Sequence, residues 1–289
     1  LEFEEAPATF EMIAPLFHAS GWGTLVAGLQ GSANGASGSA VEHRLAAPTT
    51  LHPVTYSYTI EAGDESWAEQ MAYSLVKEFT LSFPGDDAVM VSSTWFGRNG
   101  TPTNAMGSFT AAGTLSEAEE IIAGLGTIYL SPTTYGAGAV AGGNILGGEI
   151  TFTPRWVPKY SIDAGVLYFA TAVYAGLDVE GNLTFENWVS GTVGIAGSAG
   201  QREKWRNEQT QFMRINIPGG TINLGTTYSN KLFMLDLPIK YTEVDALDDQ
   251  DGNDIVTINF VSHYSEGSAG NGRGTCVIIQ RGTQVFNGA

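Results

Sequence analysis

The chain has 289 residues, 43% of them hydrophobic and 15% charged, so it can bury a large core and is not a disordered polypeptide. Its 30 acidic and 13 basic side chains give a net charge of −17, which excludes a protein that binds the phosphate backbone of nucleic acid. Its 37 glycines and 11% aromatic residues favour strands joined by turns, and the single cysteine, Cys276, excludes an internal disulfide.

The first part of the chain, about residues 1–50, contains a tract rich in glycine, alanine and serine at 28–40. We expect this part to form an N-terminal arm, because the tract has too few bulky apolar residues to form core. A pattern of period two follows, in which polar residues alternate with Val54, Tyr56, Tyr58 and Ile60. This alternation predicts a strand with one buried and one solvated face.

The clearest hairpin signal lies in residues 76–97, where two alternating stretches flank the turn sequence 84–87. The turn has a stiff proline, Pro84, followed by a permissive glycine, Gly85. One face of the hairpin carries the apolar residues, which we expect in a core: Phe79, Leu81, Val89, Val91 and Trp95. The opposite, solvated face carries the polar residues Glu78, Thr80, Ser82, Ser92 and Thr94.

One segment has the pattern of a short α-helix. Ser116 and Glu119 match a capping box ahead of Ile121, Ile122 and Leu125, and Gly126 is a stop signal. We therefore expect one short helix to flank the strands. A second glycine-rich tract, at about 136–148, predicts a loop insertion.

Period two continues through the second half of the chain, for example at 149–153 and 231–241. A further loop insertion is expected at about 190–210, and residues 201–214 fit either a polar helix or a strand or loop. Pro238 has no amide hydrogen to donate to a sheet, so it predicts a strand edge or a bulge. Together these patterns predict a mainly β fold, an antiparallel β-sandwich or barrel with long loops, in a single domain of residues 1–289.

No motif in the sequence requires catalysis, and we expect no enzyme activity, no cofactor and no metal. The four histidines lack metal-binding spacing: His18, His43, His52 and His263. The acidic stretch 248–254, with Gly252 at a bend, suits a solvated hairpin turn, and calcium binding there stays open. No apolar run approaches about 18 residues, so the sequence predicts no transmembrane helix.

The sequence contains one dense basic cluster, formed by Arg202, Lys204, Trp205 and Arg206. In a chain with an excess of carboxylates, such a cluster suits an acidic surface of another subunit better than a nucleic acid or a sugar. We expect it to make an inter-subunit contact.

Three blocks of the sequence resemble the tail tube proteins of long-tailed, siphovirus-like bacteriophages. The first block spans 58–98, with its matches at 58–64, 71–73, 76–82, 87–92 and 95–98. The second runs from 231–236 through 241–245 and 251–254 to Tyr264, and the short segment 15–21 resembles the part that precedes them. These blocks cover about half of the chain.

The resemblance implies a structural protein of the virion, with an antiparallel β-sandwich and a flanking helix. Copies of the chain are then expected to form hexameric rings, and stacked rings form the tail tube that conducts DNA during ejection. The expected partners are the chain itself and other tail proteins at the tube ends, without a membrane. A trimeric ring of duplicated domains stays open.

The residues support a channel independently of the resemblance, because a ring removes exposed strand edges and an acidic wall repels passing DNA. Residues 1–150 carry 16 acidic and only 3 basic side chains. The solvated face of the 76–97 hairpin therefore supplies the candidate lumen residues: Glu78, Thr80, Ser82, Ser92 and Thr94.

Two other classes of protein share these patterns. An outer-membrane β-barrel has the same alternation, glycine content, aromatic content and acidity. A carbohydrate-binding or adhesin sandwich needs an aromatic platform, for which the sequence offers Trp67, Trp95, Trp156 and Trp205.

Overall fold

The fold is that of a computed structural model of the chain. The structure describes residues 1–30, 40–48, 52–53, 57–63, 68–98, 100–103, 118–136, 145–162, 167–186, 200–222, 228–246, 248–250, 252–263 and 274–281.

Strands dominate the described part of the chain, which confirms the predicted mainly β class. The 16 strands are β1 Glu2–Pro7, β2 Gly23–Gln30, β3 Ala40–Ala46, β4 His52–Pro53, β5 Tyr58–Gly63, β6 Ala68–Pro84, β7 Met90–Phe96, β8 Gly100–Thr103, β9 Thr127–Ser131, β10 Ile145–Lys159, β11 Thr171–Glu186, β12 Thr210–Thr221, β13 Asn230–Val244, β14 Asp248–Gln250, β15 Asn253–Ser262 and β16 Thr275–Arg281. Two short α-helices accompany them in these residues, α1 Ile13–Ala19 and α2 Gln201–Arg206.

The strands form one sheet whose main path runs β1-β7-β6-β10-β11-β15-β13-β16-β3-β2. β12 pairs with β13 outside this path, and β9 pairs with β12. The short strands β5 and β8 pair with β6, β4 pairs with β11, and β14 pairs with β15. The predicted hairpin at 76–97 is confirmed, because β6 and β7 pair antiparallel, with Leu81 opposite Val91.

Both halves of the sheet path contribute to one hydrophobic core. Phe79 and Phe152 come from β6 and β10, and Phe233 and Ile278 from β13 and β16. Helix α1 contacts both β6 and β3. Its Phe17 packs edge-on against Phe79 and Phe152, with ring centroids 5.2 and 5.6 Å apart. The sheet therefore folds over, and α1 fills the space between its two halves.

β13 lies between strands of the two parts of the sheet, and Pro238 lies where the strand paired with one of its edges changes. β12 pairs along one edge of β13, whereas the other edge pairs with β16 at 232–236 and with β15 at 239–244. The sequence predicts a strand edge or a bulge at Pro238. β13 as a whole has neighbours on both sides, but at Pro238 itself only the β12 side is paired, so the edge is local. The register shift of β13 against β15 lies at 241–243 and not at Pro238. Pro238 lies between the two partners on the divided edge, and its carbonyl accepts a hydrogen bond from the His263 amide, 3.1 Å away. The position without an amide hydrogen therefore lies where the pairing with β16 ends and the pairing with β15 begins.

The helix predicted at 116–126 is wrong over the described residues 118–126. Only a 3₁₀ turn, Ala123–Leu125, is present there. Glu120 and Ile122 form isolated bridges with Thr9 and Ala88, and the Ile121 amide donates to the Ala8 carbonyl over 2.9 Å. The backbone groups that a helix needs are therefore taken by other parts of the chain, and the segment is extended.

The predicted N-terminal arm is largely part of the sheet. Strands β1, β2 and β3 and helix α1 all lie within residues 1–50. Residues 31–39 of its glycine-rich tract lie outside the described residues.

The two predicted loop insertions also differ in part from the structure. Residues 145–148 belong to β10, and residues 200–210 contain α2 and the start of β12. The ambiguous stretch 201–214 is thus a short helix followed by a strand. The remaining parts of the two predicted insertions, 137–144 and 190–199, lie outside the described residues.

Candidate functional site

The best candidate for a functional surface is the face of the β6–β7 hairpin that points away from the core. Glu78 is exposed, and the other four candidate lumen residues on this face are partly exposed: Thr80, Ser82, Ser92 and Thr94. On the opposite face Phe79, Leu81, Val89 and Trp95 are buried and Val91 is partly buried. The structure thus places all the candidate lumen residues on one side of one hairpin.

This polar face continues from β6 onto the neighbouring strand β10. Thr80 lies opposite Thr151, and their hydroxyl oxygens are 3.0 Å apart. The Thr153 hydroxyl donates to Glu78 Oε2 over 3.4 Å. Polar side chains of β6 therefore form hydrogen bonds with polar side chains of β10, and the two strands share a single polar surface.

The same surface crosses β11 and β15. Thr151 lies opposite Glu180, and Asn182 lies opposite Asn259. Further along β11 the hydroxyls of Thr184 and Thr257 are 3.2 Å apart. The polar face therefore extends over five adjacent strands of the sheet path, β7, β6, β10, β11 and β15.

A depression of about 280 Å³ lies on this face over β10, β11 and β15 and reaches Thr242 of β13. Its lining is mostly polar and includes Glu149, Thr151, Glu180, Asn182, Thr242 and Asn259. The two carboxylates belong to neighbouring strands and occupy adjacent rows, since Glu149 pairs with Asn182 and Glu180 pairs with Thr151. The depression therefore combines negative charge with amide and hydroxyl groups.

Carboxylates outnumber cations on the polar face. Glu78, Glu149, Asp178, Glu180 and Glu186 lie on β6, β10 and β11. Among the described cations nearby, Arg155 pairs with Asp178 at 3.3 Å, Lys240 pairs with Glu208 at 2.7 Å, and Lys77 is exposed beside Glu78. The hydrogen bond and charge of Lys240 lower the pKa of Glu208. The net potential of the face is therefore negative.

The basic cluster predicted at an inter-subunit contact lies on α2. Trp205 Nε1 donates to the Thr242 carbonyl over 3.0 Å, and its ring packs against the core. Arg206 pairs with Glu203 at 2.7 Å, and burial lowers the pKa of Lys204. Trp205 thus fixes α2 to β13, whereas Arg206 stays exposed and Arg202 partly exposed. The inter-subunit role of the cluster stays a prediction.

The tryptophans proposed for a sugar platform do not form one in the described residues. Trp95 is buried, and Trp205 is bound to Thr242 as described above. Trp156 packs edge-on against Tyr174, with ring centroids 5.4 Å apart. Trp67 lies outside the described residues.

The acidic stretch at 248–254 forms the β14–β15 hairpin, in which Gly252 has a φ of +84°. The Asp249 carboxylate accepts a hydrogen bond from the Gly252 amide over 3.2 Å, which is the geometry of a turn. Asp251 lies outside the described residues. In the part of the chain that is described, no three His, Cys, Asp or Glu side chains are grouped as metal ligands.

Sequence reasoning missed a buried ion-pair network. Lys231 Nζ lies 2.6 Å from Glu11 Oε1 and 3.0 Å from Glu119 Oε2. Glu119 Oε1 accepts a hydrogen bond from the Gly220 amide over 2.5 Å, and Glu11 Oε2 accepts one from the Glu119 amide over 3.0 Å. Three distant segments meet at this lysine, so no local sequence pattern could have indicated it.

Two further buried contacts were also missed. Arg214 on β12 makes a bidentate pair with Asp236 on β13, at 2.6 and 2.7 Å, and this hydrogen bonding raises the pKa of Arg214. His18 on α1 and His43 on β3 have ring centroids 6.1 Å apart. The histidine spacing in the sequence did not indicate this pair, because only the folded sheet brings β3 to α1.

No family model matches the chain, and no curated protein matches its sequence. Neither helix of the described residues, at seven and six residues, has the length or apolar character of a membrane-spanning segment.

Proposed function

We propose that this chain is a structural subunit of a phage tail tube, in which copies form stacked hexameric rings around a channel for DNA. The polar, acidic sheet face forms the channel wall in this proposal. Other tail proteins contact the ends of the tube. The chain acts through its shape and its electrostatic potential and catalyses no reaction.

The observation that carries the proposal is the continuity of the polar face across β7, β6, β10, β11 and β15. Hydroxyl pairs such as Thr80 with Thr151 make most of it a polar, hydrated surface, and Val261 of β15 is an exposed apolar side chain on it, opposite Glu180. Its excess of carboxylates repels phosphate, so DNA can pass without binding. A wall of lysine and arginine would instead hold the DNA in place.

The sheet edges support assembly with other copies. Among the described strands, β1 pairs only with β7, and all six of its residues are exposed. An unpaired edge of this kind offers backbone donors and acceptors to another chain, and closure into a ring removes it.

Negative-stain electron microscopy of the purified protein at high concentration tests the proposal. We expect rings or short tubes with a central channel. If only dispersed monomers are found at every concentration, the proposal is wrong.

The substitution Glu78→Lys tests the channel wall in phage particles. Because Glu78 is exposed and its carboxylate accepts a hydrogen bond from Thr153 on the same face, rings should form as in the wild type, while genome delivery slows. The control Asp86→Lys makes the same charge change in the hairpin turn and should leave delivery unchanged. If the wild-type, Glu78→Lys and Asp86→Lys phages are equally infective, Glu78 is not part of the channel wall.

A further inference from the structure

Three charged side chains from distant parts of the chain meet at the Lys231 amino group. Lys231 lies on β13, Glu11 in the turn before α1, and Glu119 in the segment before the 3₁₀ turn. Lys231 Nζ is 2.6 Å from Glu11 Oε1 and 3.0 Å from Glu119 Oε2. An amine is therefore held against one carboxylate while a second carboxylate contacts the same nitrogen.

The lysine end of this group is shielded from water. The Lys231 side chain is 6% exposed and that of Glu11 15%, and the fully buried Phe10 ring has its centre 5.9 Å from Nζ. Glu119, at 36%, forms the more open side. Two opposite charges in such a site carry a desolvation cost that an uncharged product does not. Burial therefore favours condensation of the amine with the carboxyl group to a neutral amide.

Two backbone amides orient the carboxylates. The Glu119 amide donates to Glu11 Oε2 over 3.0 Å, and the Gly220 amide donates to Glu119 Oε1 over 2.5 Å. A Cβ at Gly219 would lie 2.6 Å from the Phe10 ring and 3.0 Å from Glu119 Oε1, so β12 approaches this closely only with glycine there. The group therefore contains a nucleophile, a proton carrier and a backbone donor on the carboxyl group that is attacked.

We propose that Lys231 and Glu11 condense to an intramolecular isopeptide bond, with Glu119 as the acid–base catalyst. The ion pair is the state of the chain before this bond forms. The bond attaches the segment before α1 covalently to β13, in the other half of the sequence. It forms within one chain, so this inference goes beyond the proposed function and does not depend on it.

The reaction needs no co-reactant. Glu119 carries one proton from Lys231 Nζ to Glu11 Oε1, which leaves a neutral amine and a neutral carboxylic acid. The nitrogen lone pair attacks the Glu11 carboxyl carbon, and the Glu119 amide stabilises the negative charge that develops on Oε2. Glu119 then carries a second proton from the nitrogen to Oε1, the bond between the carbon and Oε1 breaks, and water leaves. One C–N bond replaces one C–O bond, and Glu119 is a carboxylate again.

A second lysine–glutamate pair provides a control within the same molecule. Lys240 Nζ lies 2.7 Å from Glu208 Oε2, almost the same distance as in the buried pair. The Glu208 side chain is 76% exposed, and among the described residues Lys240 makes no second ion pair. Water surrounds this pair and no second carboxylate carries protons, so we expect no bond there.

Mass spectrometry of the denatured wild-type protein tests the bond, after incubation at neutral pH until the mass is constant. We expect the mass to be lower than that of the sequence by one water molecule. A tryptic digest should contain residues 1–44 joined to residues 215–240, because trypsin does not cleave after a modified Lys231, whereas it should cleave normally after Lys240. The full sequence mass, with the two peptides separate and Lys231 cleaved, would overturn the proposal.

Three substitutions separate the roles of the side chains. Glu11→Gln should condense with loss of ammonia instead of water, so its final mass should equal that of the linked wild type, because the same amide forms. Glu119→Gln has no carboxylate to carry protons and should keep its full mass. Lys231→Arg, which keeps the positive charge without a primary amine, should also keep its full mass. A linked Glu119→Gln protein, or an unlinked Glu11→Gln protein beside a linked wild type, would overturn the assigned roles.

Discussion

The imidazole of His18 is largely buried in the folded chain. Burial of the imidazole, together with the neighbouring His43, lowers the pKa of His18 from 6.5 to about 4. Burial also lowers the pKa of His43. Both rings are therefore neutral in the folded chain at neutral pH, and protonation favours the unfolded chain.

The lowered pKa of His18 predicts that the free energy of unfolding decreases in acid. Because the folded-state pKa lies below the unfolded value, the neutral ring contributes its full stability above about pH 6.5 and loses it as the pH falls toward 4. His18→Leu should remove about 1–2 kcal/mol of the loss in unfolding free energy between pH 7.5 and pH 5. Denaturant melts of both proteins at the two pH values measure this difference. An unchanged pH slope in His18→Leu would contradict the prediction.

Lys231 holds two carboxylates in a mostly buried site, and its loss should be costly. Its side chain is 6% exposed, against 15% for Glu11 and 36% for Glu119. Lys231→Met should lower the unfolding free energy by about 2–4 kcal/mol, because both carboxylates lose their cation. The triple variant Lys231→Met, Glu11→Gln, Glu119→Gln should recover part of this loss.

The matched control for Lys231 is an exposed ion pair. Lys240 pairs with Glu208 at the surface, at 2.7 Å. Lys240→Met should leave the unfolding midpoint close to that of the wild type, because solvent and salt screen an exposed pair. Equal losses for Lys231→Met and Lys240→Met would show that the buried network adds nothing.

At the scale of elements, the sequence predicts strands well where one face is buried and the turn is local. The β6–β7 hairpin meets both conditions, since its alternation and the Pro84-Gly85 turn lie in one short stretch. Helix α1 meets neither. Its N-cap, Met12, makes no side-chain cap, and the helix has only seven residues, six of them buried. Burial of its apolar side chains in the core stabilises this helix, and the local sequence pattern does not indicate such long-range packing.

The 118–126 segment shows the opposite failure. The sequence does contain a capping-box pattern. However, Glu119, which that pattern predicts in a helix cap, bonds to Lys231 and Gly220 instead. Long-range contacts thus outweigh a weak local preference.

The dependence of α1 on core packing can be measured at Phe17. This ring is fully buried, and its centroid lies 5.0 Å from that of Trp22 as well as close to Phe79 and Phe152. Phe17→Ala should cost about 3–5 kcal/mol in a denaturant melt, because it leaves a cavity among aromatic rings. Met12→Ala, at a residue that is 70% exposed beside the helix, should cost less than about 0.5 kcal/mol. Similar costs for the two variants would contradict the role of α1 as a core element.

At the scale of the whole molecule, the candidate surface could be predicted only in part. Alternation identified the polar face of one hairpin, including Glu78 and Thr80. It could not indicate that β10, β11 and β15 continue that face, because strand neighbours are set by pairing between distant segments. Glu149 and Glu180 therefore joined the surface only in the structure.

The position of charge on the molecule, rather than its amount, should decide whether the chain binds DNA. The triple variant Glu78→Lys, Glu149→Lys, Glu180→Lys reverses three carboxylates of the polar face. The control variant Asp86→Lys, Glu120→Lys, Asp254→Lys changes the net charge equally at three exposed sites: the β6–β7 turn, the segment before the 3₁₀ turn, and the start of β15, where Asp254 alternates away from the polar face.

Only the first variant should retain duplex DNA in a mobility-shift assay. Its affinity should fall steeply with salt, with a log-log slope of about −0.9 for each phosphate contact, because lysines on one face of the sheet can contact one duplex together. The wild type and the control should not bind, since the remaining carboxylates of the face repel phosphate. Equal binding by the two triple variants would mean that net charge alone governs the interaction, and binding by the wild type at physiological salt would contradict an acidic channel wall.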